Sequence, residues 1–114
     1  MSDCIFCKIA SGEIPCSLVY QDNLVMAFKD INPLAPVHIL IIPKQHIESA
    51  QEINGGNSQI AGYIFEKIPD IAKEAGIAES GYRVITNIGK DGGQLVPHLH
   101  FHILGGRKLE TALG

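Results

Sequence analysis

Within residues 96–106, VPHLHFHILGG, polar and apolar positions alternate strictly over 98–103. Successive side chains of a strand point to opposite faces, so the segment predicts a strand. Leu99, Phe101 and Ile103 would line one face, His98, His100 and His102 the other, and Gly105 and Gly106 would end it. A helix would scatter the three histidines. "LVYQD" and "LVMAFKD", flanking the polar "QDN", predict a hairpin of two strands. "INPLAP" holds two prolines and predicts a loop, and "VHILIIP" (37–43), β-branched and apolar, predicts a central strand ended by Pro43. After the break "NGGNS" (54–58), with Asn57 or Ser58 as cap, Ile60, Ile64, Ile68, Ile71 and Ala75 recur near helical spacing. Gly76 would close that helix, and Pro69 would kink or split it. "YRVITNI" (82–88) predicts a further strand, and the Gly-rich loop "GKDGGQ" (89–94) leads into the histidines. About five strands, mostly neighbours in sequence, and one long helix predict an α+β fold with an antiparallel sheet.

Composition narrows the class. At 114 residues the chain is expected to form one domain, 1–114, and 46% apolar with 18% charged residues is a globular balance. A formal charge of −3 makes nucleic acid an unexpected partner. "MSDCIFCKIA" lacks the pattern of a signal peptide, and "ILII" is too short to enter a membrane as a span. Cys4, Cys7 and Cys16, an odd set without an export signal, predict a reducing, cytoplasmic location.

Chemistry enters with the histidines, since three of the five in the chain share one strand face. A solvated face favours Lys, Glu or Thr, so a surface strand that merely shows histidine to water is the weaker reading. "GKDGGQ" lacks the ending of a Walker motif. Its glycines Gly89, Gly92 and Gly93 can still turn backbone N–H groups toward an anion, or simply form a tight turn. An anion beside neutral imidazoles suggests a phosphate ester or phosphoramidate, with one histidine as nucleophile and another giving a proton to the leaving group. Cys4-x-x-Cys7 is half of a tetrahedral zinc site that two histidines would have to complete. A thioredoxin-like motif would want a strand before Cys4, where there is no room, and buried thiols are the plain alternative. His46, past the central strand, and His38, at its start, could each be a ligand, a support for one, or a surface residue.

His98-Leu-His100-Phe-His102-Ile-Leu resembles the signature His-φ-His-φ-His-φ-φ of the histidine triad superfamily of nucleotide hydrolases and transferases. "CIFCKI", "AFKDINPLAPVHILIIPKQHI", "GYRVITNIGKDGGQ" and "HLHFHILGGR" resemble, in order, the blocks of its Hint branch of nucleoside phosphoramidases. That resemblance implies a five-stranded antiparallel sheet with one long helix and a short N-terminal helix, dimerising into a ten-stranded sheet. The apolar helix, with more apolar positions than one sheet face needs, agrees with a homodimer. The resemblance also implies cleavage of the P–N bond of purine nucleoside 5′-phosphoramidates, with His100 forming a nucleotidyl-histidine that water releases. His102 would support the phosphate and the leaving-group proton, and His98 would orient its neighbours or bind metal. Asn87 and the backbone around Gly93 and Gln94 would hold phosphate oxygens. Asp30 would take the ribose hydroxyls, which a carboxylate can accept in pairs. Ile5, Phe6, Ile9, Phe28, Ile31 and Leu40 would form the apolar slot for the base.

Some bacterial members and the related galactose-1-phosphate uridylyltransferases also carry Cys-x-x-Cys. Carried over, their zinc ligands are Cys4, Cys7, His46 and His98, a closed and hence structural set, with no catalytic metal expected. Two departures stand out. Leu95 occupies a position where many members have Ser or Thr, and "GGRKLETALG" lacks the Trp-containing tail of eukaryotic relatives. A dinucleoside polyphosphate hydrolase using the same His100 is the alternative enzyme. A nucleotide-binding or zinc-held interaction module with little activity is the alternative from another class, and it would not need the middle imidazole.

Overall fold

The hairpin is fastened by one carboxylate. Asp22 Oδ1 accepts the N–H groups of Leu24 and Val25 at 2.8 and 2.9 Å, which turns the chain between β1 (Leu18–Gln21) and β2 (Val25–Lys29). Its Oδ2 accepts the hydroxyls of Tyr20 and Tyr63 at 2.6 and 2.5 Å, tying the hairpin to the long helix α2 (Ser58–Glu74). Burial would raise the Asp22 carboxyl, but these four hydrogen bonds outweigh it and hold the group well below the usual carboxylate range.

The computed structural model describes residues 3–111. The chain runs α1 (Ile5–Ala10), β1, β2, β3 (Val37–Pro43), a single 3₁₀ turn (Ala50–Glu52), α2, β4 (Tyr82–Ile85) and β5 (Phe101–Gly105). The five strands form one antiparallel sheet in the order β1-β2-β3-β5-β4. β3, the β-branched run, is central, paired with β2 and β5.

Period two sorts β3 onto two cores. Ile39 and Ile41 join Val25, Ala27, Phe101 and Ile103 beneath Ile64, Ile68, Ile71 and Ala72 of α2. Leu40 and Ile42 join Met26 and Phe28 beneath Phe6 and Ile9 of α1. Each face of a twisted antiparallel sheet is thus covered by one helix, the long one on the larger core.

Several local expectations change. α2 runs unbroken through Pro69, because Pro69 and Phe65 lie on its exposed side, where water can take the carbonyl that proline leaves without a helical partner. Asn57 is the N-cap residue, yet its side chain makes no bond to the helix and instead accepts the Asn54 N–H at 2.8 Å. Gly76, at φ +79°, follows the C-cap Ala75; its N–H reaches Lys73 O and the Ile77 N–H reaches Ala72 O, a Schellman closure with Ile77 buried beneath it.

The histidine strand is shorter than its alternation suggests. β5 begins only at Phe101, and β4 ends at Ile85 rather than Ile88. Pro97 offers no donor, and the Leu99 N–H goes to Ile47 O at 2.6 Å instead of to a ladder. The Thr86 hydroxyl donates to His100 O at 2.8 Å. The facing of the side chains survives: Leu99 lies in the α2-side core, while His98 and His100 lie on the α1 side. Both faces are buried, with His98 at 0% and His100 at 6% exposure, so the histidines are not a solvated surface. Among the described residues, no helix is long and apolar enough to cross a membrane.

Candidate active site and metal centre

The backbone fixes the protons of the triad. His100 Nδ1 lies 2.7 Å from His98 O. A carbonyl only accepts, so Nδ1 carries the proton and Nε2 carries the lone pair. On the other side, the Leu34 N–H donates to His38 Nδ1 at 3.1 Å, which leaves the His38 proton on Nε2. That Nε2 lies 3.0 Å from His102 Nδ1 and 3.4 Å from Asp30 Oδ2. With Nδ1 accepting, His102 holds its own proton on Nε2. The rings of His100 and His102 stand 5.1 Å apart between centroids. A nucleophile's lone pair and a donor N–H thus occur on neighbouring imidazoles, the pairing that acyl- or phosphoryl-transfer chemistry requires.

Burial keeps these rings neutral. It lowers His38, against the pull of Asp30, and lowers His98 and His100. His102 is lowered to about 4, first by burial and then by the nearby His100 and His38, with Asp30 opposing. A group depressed in the fold binds its proton more weakly than in the unfolded chain. His38 and His102 therefore cost stability as pH falls from the ordinary histidine value of about 6.5. Metal-free protein is expected to lose melting temperature progressively from that pH down through about 4, the His102 value. A melting temperature constant across that window would contradict neutral burial of these rings.

A second cluster meets the first at His98. The ligand atoms of Cys4, Cys7, His46 and His98 lie within 4.8 Å of one another. His98 Nδ1 is 3.2 Å from Cys4 Sγ and 3.5 Å from Cys7 Sγ, and His46 Nδ1 is 3.2 Å from Cys7 Sγ. In a tetrahedral zinc site adjacent sulfur and nitrogen ligands stand about 3.5 Å apart. His98 Nε2 donates to Pro43 O at 2.8 Å, so its Nδ1 lone pair faces the sulfurs. The donor set and the tautomer both fit a metal ion. Asp30, His38 and His102 are also close enough to be ligands. There the fit fails, because the Leu34 N–H keeps the proton on the His38 nitrogen that would have to ligate. That cluster is a hydrogen-bonded chain. No strand precedes α1 among the described residues and the sheet has no parallel pair, which removes the thioredoxin-like setting.

The expected base slot is brought together in part. Phe6, Ile9, Phe28 and Leu40 form one buried cluster, and Phe6 sets its ring edge-on to Phe28 and to His100 at 5.6 and 5.1 Å. Ile31, at 90% exposure, and Ile5, at 46%, stand outside that cluster. Met26 and Ile42, buried in it, and Ile14, against it, were not expected. Period two along β2 and β3 would have found the first two.

The loop before the triad differs more. Gly93, at φ +83°, forms a turn in which its N–H donates to Lys90 O and the Gln94 N–H to Gly89 O, both at 3.0 Å. Neither N–H is available to a phosphate oxygen in this conformation, because the loop uses both to close itself. The Gln94 side chain is a brace: Nε2 donates to Glu48 O and Val96 O, and Oε1 accepts the Gly89 N–H. A Cβ at Gly92 would lie 2.3 Å from Ile88 O, so this turn admits only glycine. Asn87 lies half-buried just past β4. Asp30 spends Oδ1 on the Asn32 N–H, which leaves Oδ2 toward His38 and any hydroxyl. Leu95 is 91% exposed and lines a cleft of about 420 Å³ with Cys4, Ile5, His46 and Glu48, so it is no core residue.

Residues 11–109 match the family model of the HIT domain. The chain belongs to the HIT domain family. Cys4 and Cys7 lie ahead of the matched stretch, but relatives extend over them. The purine nucleoside phosphoramidase of Escherichia coli K12 is 49% identical over 96% of this chain and 92% of its own. Protein HitA of Neisseria gonorrhoeae is 48% identical over 92% of this chain and 97% of its own. Among solved structures, a HIT family hydrolase from Clostridium thermocellum superposes with a TM-score of 0.96 at 50% identity, covering 99% of this chain and 98% of that one. A histidine triad protein from Clostridium difficile gives 0.95 at 52% identity, with coverage of 99% and 98%.

Proposed function

We propose that this HIT-domain protein is a nucleotide hydrolase that cleaves the P–N bond of purine nucleoside 5′-phosphoramidates. The observation that carries the reading is the opposite protonation of two adjacent imidazoles: His100 with its lone pair on Nε2, His102 with its proton there. His100 Nε2 attacks the α-phosphorus and the P–N bond breaks. A proton passed through His102 Nε2 reaches the leaving nitrogen. Water then hydrolyses the nucleotidyl-His100 and restores His102, so that hydroxyl goes to phosphorus and a proton to the amine. His38 keeps His102 in the donating tautomer. Phe6, Ile9, Phe28 and Leu40, with Ile5 and Ile31 at the rim, hold the base, Asp30 takes the ribose hydroxyls, and Asn87 faces the phosphate. Gly93 and Gln94 shape the loop beside it. The likeness to a protein named purine nucleoside phosphoramidase supports the substrate class.

Zinc held by Cys4, Cys7, His46 and His98 would fasten α1 to the triad segment and take no part in the chemistry. A homodimer joined at a sheet edge into ten strands, in the cytoplasm, completes the reading. The deciding experiment compares turnover of an adenosine 5′-phosphoramidate with that of a diadenosine polyphosphate on one preparation. Faster loss of the phosphoramidate is expected. Preference for the polyphosphate would make P–O–P cleavage the activity, and turnover of neither would leave a binding module.

A further inference from the structure

We propose that Arg107 is a positioning residue: by gripping the Leu34 carbonyl it steadies the neighbouring Leu34 N–H, sets the tautomer of His38, and through it the proton on His102. The consequence for rate rests on the hydrolase reading above; the tautomer itself does not.

The loop between β2 and β3 bends back on His38, the second residue of β3. Asp30 Oδ1 accepts the Asn32 N–H at 2.8 Å, and the Asp30 N–H donates to His38 O at 3.0 Å. The Leu34 N–H then reaches His38 Nδ1 at 3.1 Å. Nothing apolar holds Leu34 there, for its side chain is 71% exposed. What holds it is its own carbonyl, which accepts Arg107 Nη2 at 3.1 Å, while Arg107 Nη1 donates to Lys108 O at 3.0 Å. The planar guanidinium thus bridges the segment after β5 and the loop before β3.

A second contact brings Arg107 to that place. At Gly106, φ +94°, a Cβ would stand 2.9 Å from Pro36 Cβ and 3.4 Å from Val37 N. The turn after β5 therefore lies flat against residues 36–37, closer than any side chain would allow. Gly106 presses on the loop and Arg107 hooks over it. Released from Arg107, the Leu34–Ala35 peptide can turn, the Pro33–Leu34 peptide that carries the N–H loses this restraint through the Cα the two share, His38 Nδ1 loses its fixed donor, and the His38 proton is no longer confined to Nε2. His102 Nδ1 then loses its fixed partner.

The test uses the full chain, labelled with ¹⁵N-histidine, as wild type, Arg107→Ala and Arg107→Lys. Long-range ¹H–¹⁵N spectra at neutral pH read the tautomers, with His38→Gln identifying the His38 signals. Wild type is expected to show His38 protonated on Nε2 alone, and Arg107→Ala a mixture. On an adenosine phosphoramidate, kcat of Arg107→Ala should fall about three- to tenfold, the size of one lost hydrogen bond, with KM within about twofold. Arg107→Lys, which keeps a donor, should recover most of both. An unchanged His38 tautomer in Arg107→Ala, even with a lower melting temperature, would make Arg107 a mere brace and overturn the proposal. So would a mixed tautomer with unchanged kcat. If wild type turns over no phosphoramidate, the hydrolase reading fails while the spectra still decide what Arg107 does to His38.

Discussion

His100→Ala is expected to remove turnover of an adenosine phosphoramidate by several orders of magnitude while AMP still binds. The size follows from the role. No other imidazole offers an unprotonated Nε2 from this place on the α1-side face: His102 holds its proton there, and His98 donates its Nε2–H to Pro43 O. Wild type, quenched during turnover in alkaline denaturant because the P–N bond of a nucleotidyl-histidine hydrolyses in acid, should carry a nucleotide on His100 by mass spectrometry, and the variant none. The substitution also leaves the buried His98 carbonyl without its partner and opens space beside Phe6. Some loss of melting temperature is therefore expected, on the order of 1–3 kcal/mol of stability for the unpaired group. Rates must accordingly be compared per folded chain, with AMP titration counting the sites. A variant that keeps most of its turnover, or a wild type that never yields an adduct, would end the nucleophile assignment.

What the sequence shows and what it hides divide by range. The hairpin, the central strand and α2 rest on local periodicity, and they stand where the pattern of Leu18–Asp30, Val37–Pro43 and Ile60–Ala75 puts them. The facing of His98, His100 and His102 is equally local. That His98 and His100 lie outside the ladder is not, because the Leu99 N–H pairs with Ile47, a contact between segments about fifty residues apart that no period carries. The helix on the α1 side explains the other surprise. The alternation predicts a strand buried on one face, and Phe6 of α1, edge-on to His98 and His100, buries the imidazole face as well.

The site follows the same rule. His38 could be read as ligand, support or surface. Only the register, in which Leu40 opposes His102, brings His38 diagonally onto that ring. The Gly-rich loop misleads for a related reason. Glycines announce that the backbone bends, but not where its N–H groups end up, and here those of residues 93 and 94 close the turn itself. The motif does not show that the Gln94 side chain is a strut between two loops, bonded to Glu48 O and Val96 O.

Metal removal should produce the second large effect, and it should be local. All four candidate ligands lie outside the strands: Cys4 and Cys7 at the start of α1, His46 past β3, His98 before β5. The sheet and the α2 core contain none of them, so the loss should stay well short of the ~10–16 kcal/mol that zinc contributes to isolated finger peptides. α1 is another matter. It has six residues, far below the length at which a helix stands alone, and is held by Phe6, Ile9 and the cluster at its N-terminus. Chelation, or Cys4→Ser with Cys7→Ser, is expected to raise amide exchange across residues 5–10 by orders of magnitude while β3 stays protected. Because Phe6 rides on α1 and packs against His100, nucleotide affinity should fall more than the rate of the bound complex. Protein purified without chelator should carry about one zinc per chain, the stoichiometry of a single four-ligand site. Metal-free protein whose Cys4 and Cys7 thiols react at once with a disulfide reagent, and whose α1 exchanges no faster after chelation, would show that the cluster holds no ion and that apolar contacts alone keep α1 in place.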